Sequence, residues 1–162
     1  MITAARTGVT TYSTPTDTQV QVTRVVNAPR KTVFEVYTTP KHLQKWLLGP
    51  PGWTMPICEF DARPGGAWRY VYRKDDGEEM TLSGTVREFT PPERVVTTET
   101  WGPQWPETLN TVVFTELAGQ TTITVTVTYP SKEARDAALQ TGMKEGMDQG
   151  FAKLDALLET LV

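Results

Sequence analysis

Residues 56–130 carry six runs of strand character in succession: PICEFD, AWRYVYRK, MTLSGTVREF, RVVTTETW, TLNTVVFTEL and TTITVTVTYP. The separators are Arg63-Pro64-Gly65-Gly66, Asp75-Asp76-Gly77, Pro91-Pro92-Glu93, GPQWPE and Ala118-Gly119-Gln120, all too short for a helical crossover. Connections of that length make the neighbours antiparallel. In the last run Ile123, Val125, Val127 and Tyr129 alternate with threonine, so one face is dry and the other wet. A dry face needs cover. Only the segment after residue 130 is long enough to supply it. Ser131 caps an expected helix of roughly thirty residues running to the end, about 45 Å at 1.5 Å per residue. Its apolar positions, Ala138, Met143, Met147, Phe151, Leu154, Leu158 and Leu161, follow three-and-four spacing.

Before the six runs, QVQVTRVV at 19–26 reads as a first strand. NAPRKTVFEVYTTP then begins a helix with Pro29 in its first turn and Val33, Phe34 and Tyr37 on one face. Thr39-Pro40 starts a second short helix carrying Leu43, Trp46 and Leu47, which ends at Gly49-Pro50-Pro51-Gly52. Residues 1–17 are Thr-rich and read as a flexible leader or a loosely attached strand, followed by a single domain over 18–162. The expected class is α+β: a curved antiparallel sheet of about seven strands around a long C-terminal helix. Within that helix Gly142, Gly146 and Gly150 recur every fourth residue. An interior helix glycine costs about 1 kcal/mol relative to alanine. A bare stripe therefore implies that the helix lies close to its neighbours, or that space is left between helix and sheet.

Composition excludes several classes. Sixteen Lys+Arg against nineteen Asp+Glu give a net charge of -3, with no basic run to meet nucleic acid or an anionic membrane. The first residues lack the apolar core of a signal peptide and no window approaches a membrane span, so a cytoplasmic protein is expected. One cysteine, Cys58, leaves no intrachain disulfide, and one cysteine with one histidine leaves no Cys/His zinc site. No metal and no cofactor is expected.

The order of elements and several local motifs resemble the START-related superfamily, also called SRPBCC, and within it the branch named for the C-terminal domain of the activator of heat-shock protein 90 ATPase. The resemblance rests on Ala28-Pro29 with Val33-Phe34, on Thr39-Pro40, Leu43, Trp46 and Gly49-Pro50, and on Asp61, Arg63, Gly65, Gly66 and Trp68. It also rests on Arg135-Asp136, Gly142-Met143 and Gly146. It implies a helix-grip fold, in which the concave sheet face surrounds a cavity. The chain departs from many relatives in having Leu47-Leu48 where they place an aromatic after the tryptophan of the second helix.

Trp68, Tyr70 and Tyr72 alternate on one strand and share a face. With Trp46, Leu82, Met143, Met147 and Phe151 they are the candidate lining of a ligand cavity; an ordinary packed core is the alternative. Arg24 and Glu99, charged residues in β-rich strands, are candidate polar anchors, but their neighbours are apolar on both phases and leave their facing open. His42, in the first turn of a short helix, is expected to face solvent. Asp61 and Arg63 brace a hairpin, Glu59 and Asp61 face solvent, and Cys58 packs as a small hydrophobe. No phosphate loop, Ser-His-Asp signature or metal spacing is present, and the reading leans away from an enzyme. The expected function is binding of a small, mostly apolar molecule by a monomer or homodimer. A chaperone or other protein partner, or a cyclase or hydrolase using the same cavity, are the alternatives.

Overall fold

A computed structural model describes residues 7–48 and 51–161. The strands are β1 (Thr10–Ser13), β2 (Gln19–Val26), β3 (Trp53–Phe60), β4 (Ala67–Lys74), β5 (Glu79–Thr90), β6 (Arg94–Glu99), β7 (Thr108–Leu117) and β8 (Gln120–Thr128). The helices are α1 (Arg30–Thr38), α2 (Pro40–Trp46), α3 (Lys132–Leu139) and α4 (Met143–Leu161). The eight strands form one sheet in the order β1-β2-β8-β7-β6-β5-β4-β3, every pair antiparallel. This is the α+β helix-grip architecture expected from the sequence, with one strand more than the seven anticipated.

The extra strand is β1. Residues 10–13 take up the loosely-attached-strand alternative, and they do have a face to bury. Tyr12 packs against the apolar cluster, and its hydroxyl donates to the Lys144 carbonyl at 3.0 Å or to Asp148 Oδ1 at 2.7 Å. The Gly49-Pro50 exit of the second helix lies outside the described residues.

The C-terminal segment is two helices rather than one. Thr141 is responsible: its backbone N–H and its hydroxyl both turn back to the Ala138 carbonyl, at 3.1 and 2.6 Å. That carbonyl is lost to a continuing helix. Gly142 sits in the break, exposed, and incurs no helix-interior cost. Gly146 and Gly150 remain inside α4, and Gly150 is buried where α4 crosses the end of α2. A Cβ there would meet the Trp46 carbonyl oxygen at 3.6 Å, an ordinary contact.

Alternation places Val20, Val22 and Val26 of β2 and Ile123, Val125 and Val127 of β8 on the dry face, in the same buried cluster as Phe151, Leu154 and Leu158 of α4. Burying each of those large side chains stabilises the docked helix by about 1.5–3 kcal/mol. Aromatic rings join the layers. Phe34 and Tyr37 of α1 meet Phe114 of β7 edge-on at 5.3 and 5.4 Å; Tyr37 meets Trp46 at 4.8 Å, and Trp46 stacks on Phe151 at 6.5 Å. The wet face is polar, with Gln19 and Gln21 donating to Thr128 and Thr126.

The β3–β4 turn behaves as its sequence indicates. Arg63 Nε donates to Asp61 Oδ2 at 2.9 Å, and Gly65 has φ +83. Gly66 is required for space, since a Cβ would lie 2.2 Å from the Asp61 carbonyl oxygen. Two alanine substitutions should therefore diverge in thermal denaturation. Gly66→Ala should cost about 2–4 kcal/mol and lower Tm by about 5–15 °C. Gly150→Ala should raise Tm by about 2–4 °C, because helix propensity gains up to about 1 kcal/mol and the new methyl is tolerated. A Gly150→Ala variant that melts well below the parent would show a tighter α2–α4 crossing.

Candidate functional site

Along β6, Val95 belongs to the buried apolar cluster, and period-two alternation carries Thr97 and Glu99 to the same, inner face. The phase that the sequence left open is thus fixed by Val95. Ser83 bridges Thr100, and Gly84 pairs with Trp68, which sets Glu99, Gly84 and Trp68 in one row across three strands. Gly84 makes the row possible. A Cβ at Gly84 would lie 1.9 Å from the Thr98 carbonyl oxygen and 2.8 Å from Trp68 Nε1. Without it the indole of Trp68 reaches across β5 and donates to that carbonyl at 3.0 Å.

Glu99 is only part-exposed and is held from two sides. Trp101 Nε1 donates to Oε1, and Asn110 Nδ2 donates to Oε2 at 3.0 Å. Burial pushes its carboxyl up to about 7, against the pull of those two hydrogen bonds. No cation among the described residues offsets that burial. Its charge also reaches four phenols. Tyr37, Tyr70, Tyr72 and Tyr129 are all raised, chiefly by burial, with Glu99 a further cause in each; Tyr129 rises to about 12. The charge of Glu99 is thus felt at four phenols, from α1, β4 and the end of β8.

None of these four hydroxyls has a hydrogen-bond partner among the described residues. Tyr70 and Tyr72 are nevertheless only 8% and 6% exposed. The sealed, unpartnered side-chain polar atoms among the described residues are Arg24 Nε and His42 Nδ1. A buried hydroxyl is stable only if something satisfies it. At these four positions no group among the described residues does so.

The structure gathers Trp46, Trp68, Tyr70, Tyr72, Leu82 and Phe151 into one buried cluster, with Met143 and Met147 packed against it and half-buried. Trp46 Nε1 donates to the Val36 carbonyl at 3.1 Å, so its polar edge is already satisfied. Arg24 is on the inner face but is engaged: its guanidinium bonds Asp155 of α4, donates to Thr10 Oγ1 at 2.7 Å, and lies over the Phe151 ring at 5.7 Å. It ties β1, β2 and α4 together. His42 is buried, contrary to the solvent-facing position expected, and burial lowers its affinity for a proton. It lies on the same helical face as Leu43 and Trp46, which α2 turns inward. Glu59 does face solvent, where Arg69 donates to it at 2.8 Å. Cys58 is half-buried, and burial pushes its thiol up to about 11, which leaves it a poor nucleophile. Two open surface hollows, of about 380 and 320 Å³, use none of the expected lining residues, although Tyr129 and Thr98 border the second.

Sequence reasoning did not single out Tyr37, Tyr129, Trp101 or Asn110 for the site. The signal for two of them was present. Tyr37 shares its helical face with Val33 and Phe34, and Tyr129 continues the dry alternation of β8. Asn110 is on the dry phase with Val112 and Phe114, which its polarity concealed.

The family model described as activator of Hsp90 ATPase homolog 1-like protein matches residues 27–159. The chain belongs to that family. No curated protein matches it. A solved Rhodobacter sphaeroides protein is 28% identical, with TM-score 0.89 over 95% of this chain and 100% of its own. A Mycobacterium smegmatis protein is 28% identical, with TM-score 0.81 over 91% and 95%. The Silicibacter pomeroyi AHSA1 protein shares the fold at 20% identity, with TM-score 0.73 over 89% and 99%. No helix among the described residues is long and apolar enough to cross a membrane.

Within this family member the raised carboxyl of Glu99 has a sign that can be measured. The folded group holds its proton up to about 7, whereas the unfolded one releases it near 4.5. Its contribution is present below pH 4.5 and is lost as pH rises through 7. Glu99→Gln should remove that loss. Its stability should exceed the parent's at pH 8 by on the order of 2 kcal/mol and match it near pH 4.5, by denaturant titration. A variant that is less stable than the parent at pH 8 would show that the Trp101 and Asn110 hydrogen bonds stabilise the ionised Glu99 by more than burial costs it.

Proposed function

We propose that this protein binds a small, mostly apolar molecule non-covalently in the interior between the sheet and α4. The observation that carries the reading is Glu99 on the inner face, in one row with Gly84 and Trp68 and beside the buried rings of Tyr70 and Tyr72, with its charge felt at four phenols. Rings supply apolar contact area, and a few polar groups fix orientation. Trp68, Tyr70, Tyr72 and Leu82 line the sheet side, Trp46 closes the α2 side, and Met143, Met147 and Phe151 line α4. The methionines suit an occupant of variable shape, because the thioether chain repacks at little cost. No nucleophile with an adjacent base is present among these residues, so the reading is a binder without a covalent step.

A second reading has one observation in its favour. Trp101 and Trp105 are 44% and 36% exposed, in the loop beside Glu99, and Leu109 is 37% exposed nearby. They offer an apolar contact to a protein partner, which for this family's name is a chaperone ATPase.

The first reading is tested with a neutral fluorescent probe, N-phenyl-1-naphthylamine. The parent should bind it saturably with one site, and Leu82→Trp, which fills the sheet side of the interior, should reduce affinity at least about tenfold, while Trp105→Ala leaves it unchanged. Probe binding lost in Trp105→Ala and kept in Leu82→Trp would place the apolar site on the loop and sink the interior reading.

A further inference from the structure

Glu99 presents a chemical problem that the structure leaves unsolved. It is a part-exposed carboxylate on the aromatic inner face, and no cation among the described residues pairs with it. Asn110 from β7 and Trp101 from its own loop donate to it, and its charge acts on Tyr37 from α1, Tyr70 and Tyr72 from β4 and Tyr129 beyond β8. Cys58 of β3 acts on Tyr70 and Tyr72 behind them. Every one of these is neutral near pH 7. The buried arginine of the same interior, Arg24, is committed to Asp155. Buried charges in proteins are paired or neutralised. Asn110 and Trp101 take one lone pair on each carboxylate oxygen and leave one on each free. The rings of Trp68, Tyr70 and Tyr72 share the inner face with it, and ring faces attract a cation through their quadrupoles.

We propose that the ligand of this interior is an amphipathic organic cation, a protonated amine on an apolar body, whose ammonium sits on Glu99 among the tyrosines. The assignment rests on the binding function proposed above and names its ligand class. The ammonium donates to the free lone pairs of Glu99 and to tyrosine oxygens, and the apolar body extends along Leu82 toward Met143 and Met147. A neutral alcohol of the same shape can meet the hydroxyls but leaves the carboxylate uncompensated. An anion is repelled.

The test compares 2-phenylethylamine with 2-phenylethanol, each displacing N-phenyl-1-naphthylamine from the parent and from Glu99→Gln. The amine remains protonated below about pH 9, so pH changes within about 5.5–8 act on the protein alone. At about pH 8 the amine should bind the parent at least about tenfold more tightly than the alcohol. That preference should fall about tenfold on going to about pH 5.5, as Glu99 takes up its proton, and the alcohol should show no such dependence. In Glu99→Gln the preference should vanish at both pH values while probe binding persists. The pH series on the parent separates the same two outcomes without a substitution. Equal affinity for amine and alcohol in the parent, or an amine preference that survives in Glu99→Gln, would overturn the cation assignment and leave the apolar binding reading standing. A parent that binds neither compound nor the probe would overturn both.

Discussion

Phe151 stands where three parts of the protein meet. Trp46 of α2 stacks on its ring, Arg24 of β2 lies over it, and one turn further along α4 Asp155 returns to that same arginine. The arrangement holds α4 to the inner face at one end of the sheet through dispersion, cation–π attraction and an ion pair in the same few ångströms. Because Arg24 is nearly buried, its charge depends on Asp155, and truncating either partner leaves an uncompensated ion. The N-terminal strand joins the same knot through Thr10, and its Tyr12 reaches Lys144 and Asp148 on α4.

With α4 fixed there, the inner face divides into two regions of different chemistry. Toward Leu154 and Leu158 the helix and the valines of β2 and β8 close into a dry core. Around the β4–β6 row the inner face is aromatic and hydroxylated, with Trp68, Tyr70 and Tyr72 in the buried cluster. Gly84 is the pivot of that second region, because only a residue without a side chain lets Trp68 cross β5 to the Thr98 carbonyl beside Glu99.

The fold was largely legible because it follows from local rules. Short turns dictate antiparallel order, threonine alternation marks the wet face, and the family's hairpin and helix motifs set the architecture. Three features escaped because they are tertiary. β1 is short and gains its stability from Tyr12 meeting α4, more than a hundred residues away. The break before α4 comes from Thr141 turning back on Ala138, which competes with a helical pattern that otherwise reads through. His42 is buried because of how α2 docks, and a lone histidine in a first helical turn carries no sign of that. In the site, Tyr70, Tyr72 and Trp68 were readable from alternation alone. Glu99 was readable as unusual but not as inward-facing, since Val95 and Val96 on opposite phases are both buried.

The chain has five tyrosines; the charge of Glu99 acts on four of them, while Tyr12 is bonded to α4. That division makes a direct measurement available: the ring Cζ resonances of protein carrying 13C-labelled tyrosine, followed through a titration with N-phenyl-1-naphthylamine. An interior binding site predicts that Tyr37, Tyr70, Tyr72 and Tyr129 shift together along one saturation curve while Tyr12 stays still. A saturating probe that moves none of the four, or moves Tyr12 alone, would contradict the account.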